Sequence, residues 1–201
     1  MASDGHRLAV CETAIDQPSA LADTPPRVCI VPRHPVLNLL KQLPDNETPV
    51  SITVHGSSLA VRYPGVEVST KLIEGRYPDW RRVMPDSHEG SIIVDREATL
   101  SALKRVAVLS NEVFKGIRWT VRDNFIEIDG TNPDNESAHE ELSLAHADGF
   151  VIELGFNAKY LIDALSVIDH QNAELALSKR GVIVSDPCTT NYRSVVMPMR
   201  L

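Results

Sequence analysis

Val28-Cys-Ile-Val-Pro-Arg33, Ser91-Ile-Ile-Val-Asp-Arg96 and Val151-Ile-Glu-Leu-Gly-Phe156 are three versions of one short apolar segment, each feeding an amphipathic stretch. Anchored on Val31, Val94 and Phe156, the copies lie 63 and 62 residues apart. In that register Leu37, Leu100 and Ile162 align, as do Leu40, Leu103 and Leu165, while Asn38, Ser101 and Asp163 share a polar slot. Apolar residues three apart lie on one helical face, so each copy predicts a strand followed by a helix packed on a sheet.

An alternating hairpin follows each helix: Ser51 to Val61, Arg118 to Ile128 and Glu174 to Val184. Turn formers sit at equivalent places, at Gly56, at Asp123-Asn124 and at Gly181, between strands with the period-2 pattern of half-buried sheets. A closing strand is predicted over Val66 to Leu72, His139 to Ala145 and Arg193 to Met197. The unit is β-α-β-β-β three times over, mostly antiparallel with helices on one face, which makes the fold class α+β. Glu74 to Pro85, rich in turn formers and aromatics, reads as a linker. The expected division is 1–85 and 86–201, with Met1 to Cys11 supplying one further strand.

The 201 residues carry a formal charge of −7, with 43% hydrophobic and 23% charged residues. That composition is globular, and the length allows one or two domains with a real core. A pI of about 5.5 argues against gripping duplex DNA by bulk charge. Apolar runs such as Val28 to Val31 fall far short of the ~20 residues that span a bilayer. No signal-peptide core opens the chain, so the expectation is a cytoplasmic protein without membrane contact. Cys11, Cys29 and Cys188 are odd in number, far apart and without a CxxC pair, so they read as reduced, buried thiols rather than a zinc site.

Catalytic motifs are absent: there is no HExxH, GxSxG or P-loop. Seven histidines (6, 34, 55, 88, 139, 146 and 170) offer no catalytic spacing beside a nucleophile, and His139 and His146 fall in a polar stretch that reads as solvated surface. No enzyme, cofactor or metal is expected.

Asp4-Gly-His-Arg-Leu-Ala-Val10, Ser69 to Pro85 (STKLIEGRYPDWRRVMP), Leu109-Ser-Asn-Glu112 and Val195-Val-Met-Pro-Met-Arg-Leu201 together resemble the bacterial DNA polymerase III beta subunit family, the sliding clamps. The similarity runs the whole length, in order. It implies a DNA-clamp fold in which a protomer has three domains of two modules each, two protomers closing head to tail around duplex DNA. Three modules here stand against six there. The chain therefore corresponds to the second half of the middle domain and the whole C-terminal domain, a truncation relative to the family.

The resemblance further implies a processivity factor, a non-catalytic subunit that tethers DNA polymerase III and other clamp-binding proteins to duplex DNA and is placed there by a clamp loader. The peptide-binding cleft it implies comprises Ser3, Gly5, His6, Arg7 and Leu8; Pro78, Arg82 and Val83; Asn157 and Tyr160; and Val195, Val196, Met197, Pro198, Met199, Arg200 and Leu201. Paired valines and flexible methionines suit an adaptable apolar pocket with a polar rim, although Val-Val-Met-Pro-Met read alone is an ordinary edge strand. Val108 and Leu109 match the family's protomer interface.

A ring that holds DNA topologically needs only a mildly cationic lining, whereas tight phosphate contacts would resist sliding. Arg33 and Lys41 recur in register as Arg96 and Lys104, the candidate DNA-facing residues, although a solvated helix face carries similar charges; Ser166 breaks the pattern in the third helix. Asp134 to Asp148 holds five acids and no Lys or Arg, as an outer surface would. The partners implied are encircled duplex DNA, without sequence specificity, and clamp-binding proteins. A homodimer is the family state, yet with the first domain outside this chain the expectation is that the standard ring does not close. The alternative function is a clamp-like regulator that binds clamp-interacting peptides or a full-length protomer without encircling DNA.

Overall fold

The computed structural model describes residues 1–14, 28–111, 115–144 and 146–201. Ala145, expected to end the second closing strand, and Glu112 of the Leu109–Glu112 motif lie outside them. The described residues from 1 to 14 and from 79 onward form one compact unit, and those from 28 to 78 another.

The chain opens with two strands, β1 (Ala2–Ser3) and β2 (Arg7–Cys11). The 28–78 unit then contributes helix α1 (Arg33–Gln42) and the meander β3 (Ser51–His55), β4 (Ser58–Tyr63) and β5 (Val66–Lys71). Of its apolar side chains only Leu59 and Val61 are buried, and α1 buries none. Leu40 on α1 and Ile52 on β3 are 75% and 66% exposed.

The unit of residues 1–14 and 79 onward contains two complete repeats. The first comprises β6 (Gly90–Asp95), α2 (Arg96–Val108), β7 (Gly116–Arg122), β8 (Phe125–Thr131), β9 (Ser137–Ser143) and a short β10 (His146–Ala147). The other comprises β11 (Ile152–Asn157), α3 (Ala158–Leu165), β12 (Asn172–Ser178), β13 (Gly181–Ser185) and β14 (Tyr192–Val196). The strands order as β1-β2-β14-β13-β12-β6-β10 in one sheet and β11-β7-β8-β9 in another. Each leading strand thus pairs with the other repeat's hairpin: Leu175 faces Ile92 across β12 and β6, and Phe156 faces Ile117 across β11 and β7. The exchange fuses the repeats around one core that includes Trp119, Phe156, Leu103, Leu161 and Leu175.

The sequence predicts a leading strand at Val28 to Arg33 as well, but there the structure has only the single bridge Ile30–Ile73. The reason is topological, because no second repeat in the 28–78 unit offers its hairpin to that segment. The bridge itself repeats: Ile30–Ile73, Ile93–His146 and Gly155–Met199 start from the same register of the three copies, each joining a leading segment to residues beyond its closing strand.

Two hairpins turn where expected, through Gly56-Ser57 and Asp123-Asn124. In the third the turn is Lys179-Arg180, and Gly181 is the first residue of β13, paired with Ser178. Its φ of +140° and the Val196 carbonyl oxygen, which would lie 2.5 Å from a Cβ, account for glycine there. All three cysteines are free and exposed, against the expectation of burial: Cys11 ends β2, and Cys188 lies in the polar connection after β13.

Candidate functional site

The two ends of the described chain meet in the longer sheet. β2 pairs antiparallel with β14, setting Leu8 opposite Val195 and Arg7 opposite Val196, and the Met197 N–H donates to the His6 carbonyl at 3.0 Å. Ser194 Oγ donates to the Leu8 carbonyl, closing the pairing from the side-chain level. Six of the expected cleft residues are therefore gathered by main-chain bonds across more than 180 positions of sequence.

Around this junction stands a polar and aromatic cluster. The Arg7 guanidinium lies over the Tyr160 ring, 4.4 Å from its centroid, and donates to Asp163 Oδ2 at 2.6 Å and Asp4 Oδ2 at 2.9 Å. The His6 ring stacks on Tyr160 with centroids 6.3 Å apart and planes 23° from parallel. Asp4 fixes the approach to β2 by accepting from the N–H groups of His6 and Arg7. Burial pushes its carboxyl up, but the backbone N–H of His6 and the two Arg7 donors outweigh that and hold the pKa below the ordinary value. Cation–π contact is worth ~0.5–1 kcal/mol and part-exposed ion pairs up to about 1 kcal/mol, so the cluster is a positioning device more than a source of stability. Asp4 and Asp163 were not among the expected cleft residues. The sequence signal for Asp163 is its charge in the polar slot that Asn38 and Ser101 fill in the other repeats.

Asn157 caps α3, accepting from the Lys159 N–H, which fixes Tyr160 one turn in. The tail is held by the Gly155–Met199 bridge, where the Met199 N–H donates to the Gly155 carbonyl at 2.8 Å. Met199 and Leu201 fill the space that Gly116 and Gly155 leave empty. Beside them is a cavity of about 680 Å³ whose walls include Arg118, Asp129, Met199 and Leu201. Val195 and Val196 are both fully buried, with Val196 inside the core, so they anchor the strand rather than present surface. Beside this anchor His6, Arg7, Tyr160, Met197, Pro198 and Met199 reach solvent, and Leu201 at the end of the tail is 62% exposed.

Arg82 and Val83 belong to this unit; the Val83 N–H closes the 3-10 turn Trp80–Arg82, and the Arg82 carbonyl accepts from Arg180. Ser3 pairs with Leu8, and Gly5 turns the chain between β1 and β2 with φ of +89°. Pro78 falls in the other unit and is exposed. Arg200 is exposed at the end of the tail.

The remaining expected residues divide. Arg33, Lys41 and Lys104 are exposed on their helices. Arg96 is instead engaged, with Nε donating to the His170 carbonyl and Nη2 on Glu97, which leaves its side chain 17% exposed. At the end of α2, Val108 is 75% exposed and Leu109 is half-buried as the cap. His139 and His146 lie on the surface beside Asp129 and Asp148. No described helix is long and apolar enough to cross a membrane.

Residues 81–200 match the family of C-terminal domains of the DNA polymerase III beta subunit, and residues 1–79 match the family of its central domains. The beta sliding clamp of Escherichia coli strain K12 is 34% identical over the whole of this chain and 54% of its own length. That of Vibrio cholerae is 35% identical with the same coverage. The crystal structure of the Pseudomonas aeruginosa DNA polymerase sliding clamp superimposes with a TM-score of 0.92 at 33% identity, over all of this chain and 55% of that one. The chain thus spans about half the length of the curated relatives it matches.

Proposed function

The chain belongs to the DNA polymerase III beta subunit family, the beta sliding clamps of DNA replication, and from that premise we propose that it is a non-catalytic, cytoplasmic processivity factor. Its work is to capture short linear motifs of DNA polymerase III and other clamp-binding proteins and so tether them to duplex DNA, to which a clamp loader delivers the ring. In this reading 1–85 is the second half of a middle clamp domain with its linker, and 86–201 is the C-terminal clamp domain. The observation that carries the proposal is the junction of β2, β14 and α3. There the family-matching segments His6–Leu8 and Val195–Leu201 meet beside Tyr160, giving an aromatic and thioether surface rimmed by Arg7 and Asp163. Methionine and tyrosine adapt to apolar anchors of a peptide, while the charged rim orients it. Arg33, Lys41 and Lys104 would face the DNA, and Val108 with Leu109 would meet a second protomer.

A fluorescent peptide from a polymerase tail tests this by anisotropy. Tyr160→Ala and Met197→Ala are each expected to weaken binding about tenfold, the scale of 1.4 kcal/mol at a contact centre. Binding indifferent to both substitutions rejects the cleft.

A second reading has its own support. Leu40 and Ile52 of the 28–78 unit are largely exposed, and they would be covered if another clamp module packed there. A chain engaged there with a full-length protomer would act as a regulator or competitor that takes up clamp-binding peptides without encircling DNA. Retention on nicked circular DNA separates the two readings, since only a closed ring resists salt while remaining free to slide off a linearised end.

A further inference from the structure

Away from the cleft, His170 precedes β12, and Asp186 and Cys188 lie in the connection between β13 and β14. One imidazole nitrogen, one carboxylate oxygen and the Cys188 Sγ all lie within 4.8 Å of one another. Asp186 is buried, while His170 and Cys188 reach solvent. The carboxylate is fixed from both sides: Oδ1 accepts the Cys188 backbone N–H at 2.9 Å, and Oδ2 sits 2.6 Å from His170 Nδ1. Sequence spacing hides the group, because its members are 16 and 2 residues apart and match no metal-binding pattern.

Imidazole, thiolate and carboxylate are the donors that borderline-soft divalent cations take, Zn²⁺ foremost. We propose that His170, Asp186 and Cys188 bind a divalent transition cation, with Zn²⁺ as the best fit and water completing the coordination. On binding, the Cys188 S–H bond breaks, the proton passes to solvent and the sulfur electron pair goes to the cation; no electron is transferred. The cation clips the segment before β12 to the segment before β14. Because the His170 carbonyl holds Arg96 Nε at 3.0 Å, the clip also steadies the start of α2.

Calorimetric titration of the reduced chain with zinc chloride tests the site, with Co²⁺ absorption as a second readout. We expect one Zn²⁺ per chain, and for the Co²⁺ complex a thiolate-to-metal charge-transfer band that Cys188→Ser abolishes. Cys188→Ser and His170→Gln, both at exposed positions, should each weaken binding at least tenfold with unchanged circular dichroism. Asp186→Asn removes the third ligand's charge and should likewise weaken binding at least tenfold. Cys11→Ser, Cys29→Ser and His139→Gln should leave the affinity unchanged. Failure of the unaltered chain to bind one Zn²⁺, or binding that survives both Cys188→Ser and His170→Gln, overturns the proposal.

Discussion

Gly155 lacks a side chain where its two repeat counterparts, Ile30 and Ile93, carry isoleucine. A Cβ there would lie 2.5 Å from the Met199 carbonyl oxygen and 2.7 Å from Leu201 Cγ, so the glycine is what lets the tail dock. Gly155→Ala is expected to free residues 197–201, seen as faster amide exchange of Met199, and to weaken peptide binding about tenfold with circular dichroism unchanged. Asp4 gives the pH dependence of the same region. Its folded pKa is depressed, so its contribution is present above the unfolded carboxylate range near ~3.9 and is lost as the pH falls through the lower folded value. Asp4→Asn should remove that acid-side loss of order at His6 and Arg7, as followed by amide chemical shifts against pH. At this scale the sequence was partly legible. The resemblance pointed to Arg7 and Tyr160, but nothing in the order of residues announced that Asp4 and Asp163 would hold the guanidinium over the ring, since that geometry exists only once β2 reaches α3.

The helices of the three repeats share a register but not a strength. Asp95 and Asn157 cap α2 and α3 with side-chain acceptors, whereas Pro32 before α1 has none to offer. α2 buries Leu100, Leu103 and Val106, while α1 buries nothing. Amide exchange should therefore be slowest in α2 and fastest in α1. Asp95→Ala should cost about 1 kcal/mol and Leu103→Ala about 2–5 kcal/mol in denaturant unfolding, the cavity in a shared core outweighing the lost cap. The hairpins of all three repeats and the leading strands and helices of the last two were readable from apolar spacing, which marks a buried face, whereas the strand expected at Val28 to Arg33 forms only a bridge and α1 buries nothing. The exchange of β6 and β11 between repeats was not readable, since pairing with either hairpin buries the same isoleucines and valines. Gly181 misled for a related reason. A glycine beside a turn looks like the turn, but here it answers to the approach of β14.

For the whole molecule, a charge of −7 and the exposed Leu40 and Ile52 of the 28–78 unit act in opposite directions: repulsion would keep copies apart, and burial of these side chains would favour association. Sedimentation should show association that rises with salt as repulsion is screened and that Ile52→Lys reduces. Linear duplex DNA should bind only weakly, and reversal of Lys41 and Lys104 to Glu should abolish what binding there is. The pairing of β2 with β14 carries a consequence for biogenesis. During translation Leu8 is made 186 residues ahead of Ser194, the residue that bonds its carbonyl, so the early strand must wait for a late partner before the sheet is finished. Such long-range closure folds slowly, and a nascent chain halted before Tyr192 would leave β2 without its β14 partner, an open sheet edge.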